Sequence, residues 1–353
     1  MQLFDAHLDM AWNALEWNRE LKHPVSKIRE TESAVTDRAQ GDPVVSWEEL
    51  RKGQIGTVIA TLLPRLRRPD KFNTFYQSRE AAYAASYGQL AYYRALVKQG
   101  YLREISDWPT LEAHIAEWDS PSEASPIGFI LSMEGSWSVL DPGMIEEWYN
   151  SGLRILGPAH YGPDEYGHGT GSKGGLKEHG PALLRNMERV GMILDATHLS
   201  DQSFWEALNI YGGPVLASHH NCRTFVDADR QLTDQQIKAL IERKAVIGAA
   251  FDNWMINPGW VIGVSDPKTV VIEDIVKHID HICQIAGNAE HCGIGSDLDG
   301  GFGKEQCPSD LDSIADLRKL IDLLQKHGYS DADVEGIMYR NWVNFFQRAW
   351  NGE

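Results

Sequence analysis

The chain has 353 residues and carries 50 Asp and Glu against 33 Lys and Arg, which gives a formal net charge of −17. An acidic surface repels phosphate backbones and anionic lipids, so this charge excludes unspecific binding to nucleic acid or to a membrane surface as a first hypothesis. Hydrophobic residues make up 42% of the chain, which is typical of a globular protein rather than a disordered one.

Short segments of aliphatic residues alternate with longer segments of helical period along most of the sequence. Eight of the short segments are predicted to be strands, at 2–6, 57–63, 127–132, 153–156, 192–195, 215–218, 245–250 and 292–296. Helices are predicted between them at 75–98, 178–190, 203–210, 234–244 and 271–285. Because the strand segments are nearly continuous in apolar residues rather than alternating, they indicate parallel strands that are covered on both faces.

This order of elements predicts the fold class. Eight parallel strands that alternate with helices favour an α/β protein built as a closed (β/α)8 TIM-type barrel, and an open doubly wound sheet is the alternative. No Pro-rich or Ser-rich linker divides the chain and no repeat of fixed period occurs, so residues 1–353 are predicted to form a single barrel domain. The segment from residue 311 onward is predicted to add two or three C-terminal helices.

The N-terminus and the cysteines predict the compartment. Asp5 comes too early for the apolar stretch of a secretory signal, and no apolar run approaches the length that spans a bilayer. The four cysteines, Cys222, Cys283, Cys292 and Cys307, show no CxxC spacing, so their thiols are expected to be reduced. We therefore predict a soluble cytoplasmic protein with no nucleic-acid partner and no membrane attachment.

Side chains that bind metals follow the carboxyl ends of five predicted strands. In chain order they are His7 and Asp9, Glu134, His198, His219 and His220, and Asp297 and Asp299. Each of them alone has an ordinary explanation as a hydrogen-bonded polar residue at a strand end. The carboxyl ends of all strands in a barrel meet at one rim, where the active sites of such proteins lie. Three sites with histidine and three with carboxylate on one rim therefore favour a metal centre.

The number of ligands indicates two metal ions. A catalytic zinc takes about three protein ligands and leaves one position for water. If Glu134 bridges two ions, then His7, Asp9 and Glu134 bind one of them, and Glu134, His198 and His219 bind the other. Mixed imidazole and carboxylate donors suit zinc best among the common ions, and manganese, cobalt and iron stay open as alternatives.

The motifs that contain these residues closely resemble those of the membrane (renal-type) dipeptidase family of binuclear zinc peptidases, and of its bacterial-type members in particular. They are DAHLD at 5–9, SMEG at 132–135, DATH at 195–198, SH at 218–219 and GSDLDG at 295–300. The resemblance spans residues 3 to about 345. It implies a metal-dependent hydrolase barrel with two Zn²⁺ ions per chain bridged by Glu134, a dipeptide as the substrate, and a homodimer. The hydrolysed dipeptides would have a free C-terminal carboxylate, and whether their C-terminal residue can be a D-residue is left open.

The resemblance also implies the roles of residues beyond the ligands. His160, after the fourth predicted strand, would hold the substrate or its tetrahedral intermediate. Arg230 would grip the C-terminal carboxylate, for which the planar guanidinium is well matched. Asp297 would pass a proton to the leaving amine. Arg223 is a second candidate for the carboxylate, with a salt bridge on the rim as an equally good explanation.

Two features depart from the family pattern. His220 stands where a small polar residue is usual, and because adjacent residues of an extended segment face opposite ways, only one of His219 and His220 should bind metal; the match to Ser-His favours His219. The loop 162–175 is unusually rich in glycine and contains a GxGxxG pattern at 169–174. Since no strand directly precedes these glycines, they indicate a loop over the barrel mouth rather than a dinucleotide site.

Two other functions are compatible with the same residues. One is another metal-dependent amide or lactam hydrolase on the same barrel, because a fold does not determine the substrate. The other is a non-catalytic scaffold that binds a metal or a small ligand. All five ligand positions and Asp297 are occupied by chemically competent residues, which favours the enzyme.

Overall fold

A computed structural model describes residues 1–34, 41–65 and 76–352 of the chain. The strands of this part are β1 Leu3–Leu8, β2 Ile55–Leu62, β3 Leu102–Glu104, β4 Ile127–Glu134, β5 Ile155–Gly157, β6 Ile193–Asp195, β7 Val215–Leu216, β8 Ile247–Ala249 and β9 Cys292–Ile294. Eight of them pair in parallel in the order β7-β6-β5-β4-β2-β1-β9-β8. A parallel bridge from Ala217, after β7, to Ile247 in β8 joins the two ends of the sheet. The predicted (β/α)8 barrel is thereby confirmed, and the open sheet is excluded.

The strand β3 is absent from the sequence-based prediction. It pairs only with β4, in parallel and outside the ring of eight. Of its three residues only Leu102 is buried, so the segment carries too little apolar pattern to indicate a strand.

Helices cover the outside of the barrel. They are α1 Met10–Glu16, α2 Val25–Glu32, α3 Trp47–Lys52, α4 Arg79–Lys98, α5 Trp108–Trp118, α6 Ile145–Asn150, α7 Gly180–Val190, α8 Asp201–Ile210, α9 Asp234–Glu242, α10 Asn253–Ile256, α11 Val276–Ala286, α12 Lys319–Lys326, α13 Asp331–Glu335 and α14 Asn341–Asn351. All five predicted helices occur with shifted ends; residue 75, the predicted start of the first, lies outside the described residues. Local chemistry sets several ends: Thr233 and Gln236 form a capping box that starts α9, and Gly191, with φ +75°, ends α7.

The amino end of the barrel is closed by the C-terminal helix. Alternate strand residues such as Phe4 form a buried cluster with Trp342 and Phe346 of α14. The Phe4 ring stacks on the Trp342 ring at 6.1 Å and on the Phe346 ring at 5.8 Å between centroids. The indole nitrogen of Trp342 also donates to the carbonyl oxygen of Ile294 in β9, at 3.1 Å. Helix α14 therefore seals this end, and only the carboxyl end of the barrel is left for a site.

Replacing Trp342 by Ala should strongly destabilise the protein. The indole is completely buried, and truncating a buried Trp costs about 3–5 kcal/mol of unfolding free energy. Denaturation in guanidinium chloride would show a lower midpoint for Trp342→Ala than for the wild type. Trp205, 44% exposed on α8, provides the matched control, since its replacement by Ala should cost about 0.5 kcal/mol or less. Equal midpoints for the two variants would contradict the role of α14 as the seal.

Candidate metal centre and substrate cavity

The centre of the site is the carboxylate of Glu134, at the end of β4. Its Oε1 atom faces Nε2 atoms of four histidines, which lie at 3.1 Å in His198, 3.3 Å in His219, and 3.7 Å in both His7 and His160. These side chains come from the carboxyl ends of β6, β7, β1 and β5, so the barrel brings together residues that are far apart in sequence. Glu134 and all four histidines are buried.

A second group of acidic side chains lies on the other side of His7. The Nε2 atom of His7 is 3.7 Å from Oδ1 of Asp9 and 3.8 Å from Oδ1 of Asp297. Asp9 in turn accepts a hydrogen bond from the hydroxyl of Thr61 in β2. The described part of the chain thus offers three overlapping ligand groups, in which the ligand atoms lie within 4.8 Å of one another: His7, Glu134 and His219; Glu134, His160 and His198; and His7, Asp9 and Asp297.

The spacing of these donor atoms fits a metal ion. Ligands bound at about 2.0–2.2 Å around a tetrahedral zinc lie about 3.3–3.6 Å apart. The Nε2 atoms of His198 and His219 are 3.2 Å apart, and both lie at a similar distance from Glu134. The Nε2 atom of His7 is buried without a hydrogen-bond partner among the described residues. The structure thus brings all five predicted ligands together, although it also places His7 beside His219, a contact that the sequence did not indicate.

Hydrogen bonds orient the imidazole rings of two of the histidines. The hydroxyl of Thr170 lies 3.3 Å from the carbonyl oxygen of His198, to which it donates, and 3.0 Å from Nδ1 of the same residue. The hydroxyl of Ser218 donates to Asp195 and lies 2.9 Å from Nδ1 of His219. Because each hydroxyl has given away its only proton, it accepts one from Nδ1, and the lone pair of Nε2 points at Glu134.

The loop 162–175 reaches the site through the contact between Thr170 and His198. Thr170 belongs to this loop, and its backbone nitrogen donates to the carbonyl oxygen of His160 at 3.0 Å. At Gly169 the backbone approaches so closely that an added Cβ would lie 1.8 Å from that oxygen. The glycine therefore serves close packing against a site residue, which agrees with the predicted position over the barrel mouth and not with a dinucleotide turn.

Replacing Thr170 by Val should weaken metal binding without removing any proposed ligand. Loss of a hydrogen bond that orients a metal-binding histidine typically reduces metal affinity about 10–100-fold. Competition with a chromophoric zinc chelator would measure the change. Thr224→Val is the matched control, because the Thr224 hydroxyl bonds to the exposed Asp234 instead. Equal affinities of the two variants would show that Thr170 does not orient His198.

The pKa values of the cluster show a place for positive charge. Burial pulls the pKa of His7 down, but the carboxylates of Glu134 and Asp9 outweigh it and raise this pKa to about 10. Burial raises the pKa of Glu134 to about 7. It also lowers the pKa values of His198 and His219 well below the ordinary histidine value, so both imidazoles are neutral, as a metal requires. The carboxylates that stabilise the proton on His7 could also stabilise a metal cation in the same place.

Two further carboxylates support the strand ends that carry the ligands. Asp5 accepts hydrogen bonds from the backbone nitrogen and the hydroxyl of Ser296 and so ties β1 to β9. Asp195 likewise accepts hydrogen bonds from the backbone nitrogen and the hydroxyl of Ser218 and so ties β6 to β7.

The backbone at His198 and at Asp297 has positive φ, +66° and +59°. Such a conformation is uncommon outside glycine and tends to persist where the surroundings fix it, often at functional sites.

Asp299 has a different task from Asp297. Its two oxygens accept hydrogen bonds from the backbone nitrogens of Val44 and Val45 at 2.9–3.1 Å, and Arg19 lies 3.8 Å away. It therefore anchors the segment that leads into α3, and no metal-ligand group of the described residues includes it.

The cluster around Glu134 opens into a small cavity. Its enclosed part leaves about 30 Å³ of free space, and the space reaches about 310 Å³ when the mouth that opens to solvent is included. Its walls include His160 and Asp297, which the sequence predicted, and Arg65, Asp252 and Trp254. Sequence reasoning missed Arg65 and Asp252, although each lies two residues beyond the end of a predicted strand. The rule that found the metal ligands would have found these two as well.

The two candidate arginines have different surroundings. Arg230 is completely buried, and its Nη2 donates to the carbonyl oxygen of His219 at 2.8 Å. Its Nη1 has no hydrogen-bond partner in the described parts of the chain, and its charge acts to lower the pKa of Asp297. Arg223 instead makes a bidentate ion pair with Asp201, at 2.7 and 2.8 Å, on the rim. Arg230 is thus the arginine whose guanidinium has an unused donor beside the cluster.

His220 lies apart from the cluster although it is adjacent to His219. It is buried, and burial lowers its pKa well below the ordinary value, so its ring is neutral. Within the described ranges neither of its ring nitrogens has a hydrogen-bond partner, and no metal-ligand group contains it. The geometry therefore favours His219 over its neighbour as the ligand.

A closed parallel barrel with histidines and carboxylates clustered at its carboxyl end defines a metal-dependent hydrolase of the TIM-barrel type. The chain belongs to the membrane dipeptidase family, peptidase family M19, whose family model matches residues 1–351. This confirms the resemblance seen in the sequence motifs and makes the protein a metallo-dipeptidase.

The chain is also similar to several known proteins. An uncharacterised protein from the pqqA 5′ region of Klebsiella pneumoniae is 27% identical over 65% of this chain and 84% of its own length. An uncharacterised dipeptidase of Schizosaccharomyces pombe is 26% identical over 64% of this chain and 53% of its own length. A metallo peptidase from Rhodobacter sphaeroides, solved with a phosphinate mimic of the dipeptide L-Ala-D-Ala, shares the fold with a TM-score of 0.80, at 21% identity over 99% of both chains.

Among the described residues of this chain, no helix has the length and hydrophobicity to cross a membrane.

Proposed function

We propose that the protein is a zinc-dependent dipeptidase that holds two Zn²⁺ ions per chain and cleaves dipeptides with a free C-terminal carboxylate. The observation that carries this proposal is the position of Glu134, whose Oε1 faces four imidazole nitrogens within 3.7 Å. A carboxylate in that position can serve two ions at once. The family membership supports the reaction, and the dipeptide mimic bound by the Rhodobacter sphaeroides enzyme supports the substrate class.

The donor sets that we propose for the two ions share Glu134. His7 and Asp9 complete one set, and His198 and His219 complete the other. Bound zinc would supply a nucleophile at neutral pH, by lowering the pKa of water to about 7, and would polarise the scissile carbonyl. The protein keeps the imidazoles neutral by burial and fixes them through Thr170 and Ser218.

Two residues at the cavity wall act on the reacting atoms in this proposal. His160, whose Nε2 lies 3.7 Å from Glu134, is placed to hydrogen-bond the carbonyl oxygen as negative charge develops on it. Asp297 is placed to carry a proton to the leaving amine. Burial raises the pKa of Asp297 well above the ordinary value, so this carboxyl group can hold a proton and then donate it.

Arg230 gives the proposed selectivity for dipeptides. Its unused Nη1 can form a charge-assisted bond to the C-terminal carboxylate of the substrate. Because the arginine is fixed beside the metal cluster, the carboxylate must lie one residue after the scissile bond. Peptides with further residues at that end would place an amide there instead.

The proposal is tested by amino-acid release from a panel of L,L and L,D dipeptides and matching tripeptides, each assayed with zinc added and with the metal chelated. We expect zinc-dependent cleavage of dipeptides and no cleavage of tripeptides. The panel also determines whether D-residues are accepted at the C-terminal position. If protein shown to contain two metal ions releases no amino acid from any dipeptide of the panel, the proposal is contradicted and another amide or lactam hydrolase activity is favoured.

A further inference from the structure

Asp252 is a buried carboxylate in the cavity wall that the proposed mechanism does not use. It follows β8, and only 6% of its surface is exposed. Its Oδ1 accepts hydrogen bonds from Nε2 of Gln306, at 2.7 Å, and from the backbone nitrogen of Trp254, at 3.4 Å. Both bonds fix the side chain while they leave its charge without a counter-ion. No ion pair to it occurs in the described part of the chain.

A buried carboxylate such as Asp252 lowers the stability of the fold unless a cation pairs with it. Burying a carboxylate without a charged partner is unfavourable, and the burial raises the pKa of Asp252 to about 7. Arg230 acts to lower this pKa, but in the proposed function its open donor is used by the substrate. A cationic group of the substrate can then complete Asp252.

The order of strands predicts which part of the substrate lies nearest to Asp252. Strand β8 lies between β9, which pairs with it, and β7, which joins it through the Ala217 bridge. Arg230 lies in the segment after β7, and Asp297 follows β9. In the proposed function these two hold the carboxylate and the leaving amine, which are both attached to the α-carbon of the C-terminal residue. Asp252, on the strand between them, meets the remaining large substituent of that carbon, its side chain.

Two hydrophobic side chains line the cavity near Asp252. Trp254 and Met255, from the same strand end, line the cavity together with it. The hydrocarbon parts of Trp254 and Met255 can contact the aliphatic stem of a long side chain, and the Asp252 carboxylate can pair with its cationic head. The indole face can also contribute a cation–π contact to such a head.

We infer that Asp252 is a specificity-determining residue, which selects dipeptides whose C-terminal residue carries a long cationic side chain, as lysine does. This inference rests on the proposed function, because it uses the positions of Arg230 and Asp297 relative to the substrate. The α-ammonium group of the dipeptide lies on the other side of the scissile bond and is not the cation that Asp252 binds.

The test compares Ala-Lys with Ala-norleucine, which has the same stem without the charge, using both configurations of the C-terminal residue. The wild type should prefer Ala-Lys in kcat/KM by about tenfold or more, the effect of one buried charge-assisted contact. In Asp252→Asn, which keeps an oxygen for Gln306, this ratio should fall toward one. Asp227→Asn is the matched control, because Asp227 is exposed outside the cavity, and it should keep the wild-type ratio.

A second measurement does not depend on turnover. Free lysine and free norleucine are product analogues that occupy only the C-terminal part of the site, so their inhibition constants report the same contact. Lysine should bind more tightly to the wild type, and Asp252→Asn should remove the difference.

The outcomes separate this inference from the proposed function. If the wild type cleaves Ala-norleucine as well as Ala-Lys, and both free amino acids inhibit equally, Asp252 does not select a cation and the inference is overturned while the dipeptidase stands. If Asp252→Asn lowers kcat/KM by the same factor on Ala-Lys and on Ala-norleucine, the inference is also overturned, since that pattern indicates a structural role. Metal-loaded protein that cleaves neither dipeptide would overturn the proposed function and this inference with it.

Discussion

Replacing Glu134 by Gln is expected to lower kcat/KM on dipeptides by about a thousandfold or more, because several kcal/mol of charge stabilisation in the transition state depend on the metal ions. Glutamine has the size of glutamate but lacks the negative charge that a bridging ligand provides. The fold should survive, since the side chain keeps its shape and sits in a site that is not part of the apolar core. Kinetics, metal content per chain and circular dichroism would measure the three effects separately.

The matched control for this variant is Glu290→Gln, at an exposed position outside the site. It should show wild-type kinetics and metal content. Wild-type rates in Glu134→Gln would contradict the bridging role, and normal metal content with lost turnover would show that Glu134 acts on the reaction rather than on metal binding.

Replacing Arg230 by Gln should raise KM for dipeptides about a hundredfold, because the variant leaves the substrate carboxylate without its charged partner in a buried site. The comparison of each dipeptide with its C-terminal amide isolates this contact. The amide lacks the charge, so its kinetics should change much less in the variant. Circular dichroism is required as well, since Arg230 also donates to the carbonyl oxygen of His219.

Arg223→Gln is the control for a nearby arginine that is already paired. The Arg223 guanidinium is held by Asp201 on the rim, so its loss should leave KM almost unchanged. If instead Arg223→Gln raises KM and Arg230→Gln does not, the carboxylate is bound at the rim. An unchanged KM in both variants would count against a dipeptide with a free carboxylate as the substrate.

The sequence predicted the barrel and the position of the site because both depend on local patterns. Strands buried on both faces give continuous apolar runs, and the carboxyl ends of parallel strands must meet at one rim. Residues such as His7 and Glu134 could therefore be assigned to one cluster although they are far apart in the chain. The strand β3 was missed because a single buried residue, Leu102, gives no pattern.

Contacts between distant segments could not be predicted in this way. The bond from Thr170 to His198 and the ion pair that occupies Arg223 depend on how loops pack, and no spacing in the sequence encodes them. Asp252 is a different case, because it follows a predicted strand and the rule applied to the other strand ends would have found it. The identity and number of the metal ions, the roles of the site residues, the homodimer, the single domain over 1–353 and the cytoplasmic location stay predictions.

The seal formed by α14 makes the burial of β1 wait for the synthesis of a distant segment. Phe4 is synthesised about 340 residues before its stacking partners Trp342 and Phe346. At a synthesis rate of about 5–20 residues per second, the inner face of β1 stays without these partners for roughly 15 to 70 s. Throughout that interval an apolar strand with open backbone edges is available to other nascent chains. Production of this protein should therefore respond to chaperone supply and to growth temperature, even though β1 is paired on both edges in the folded barrel.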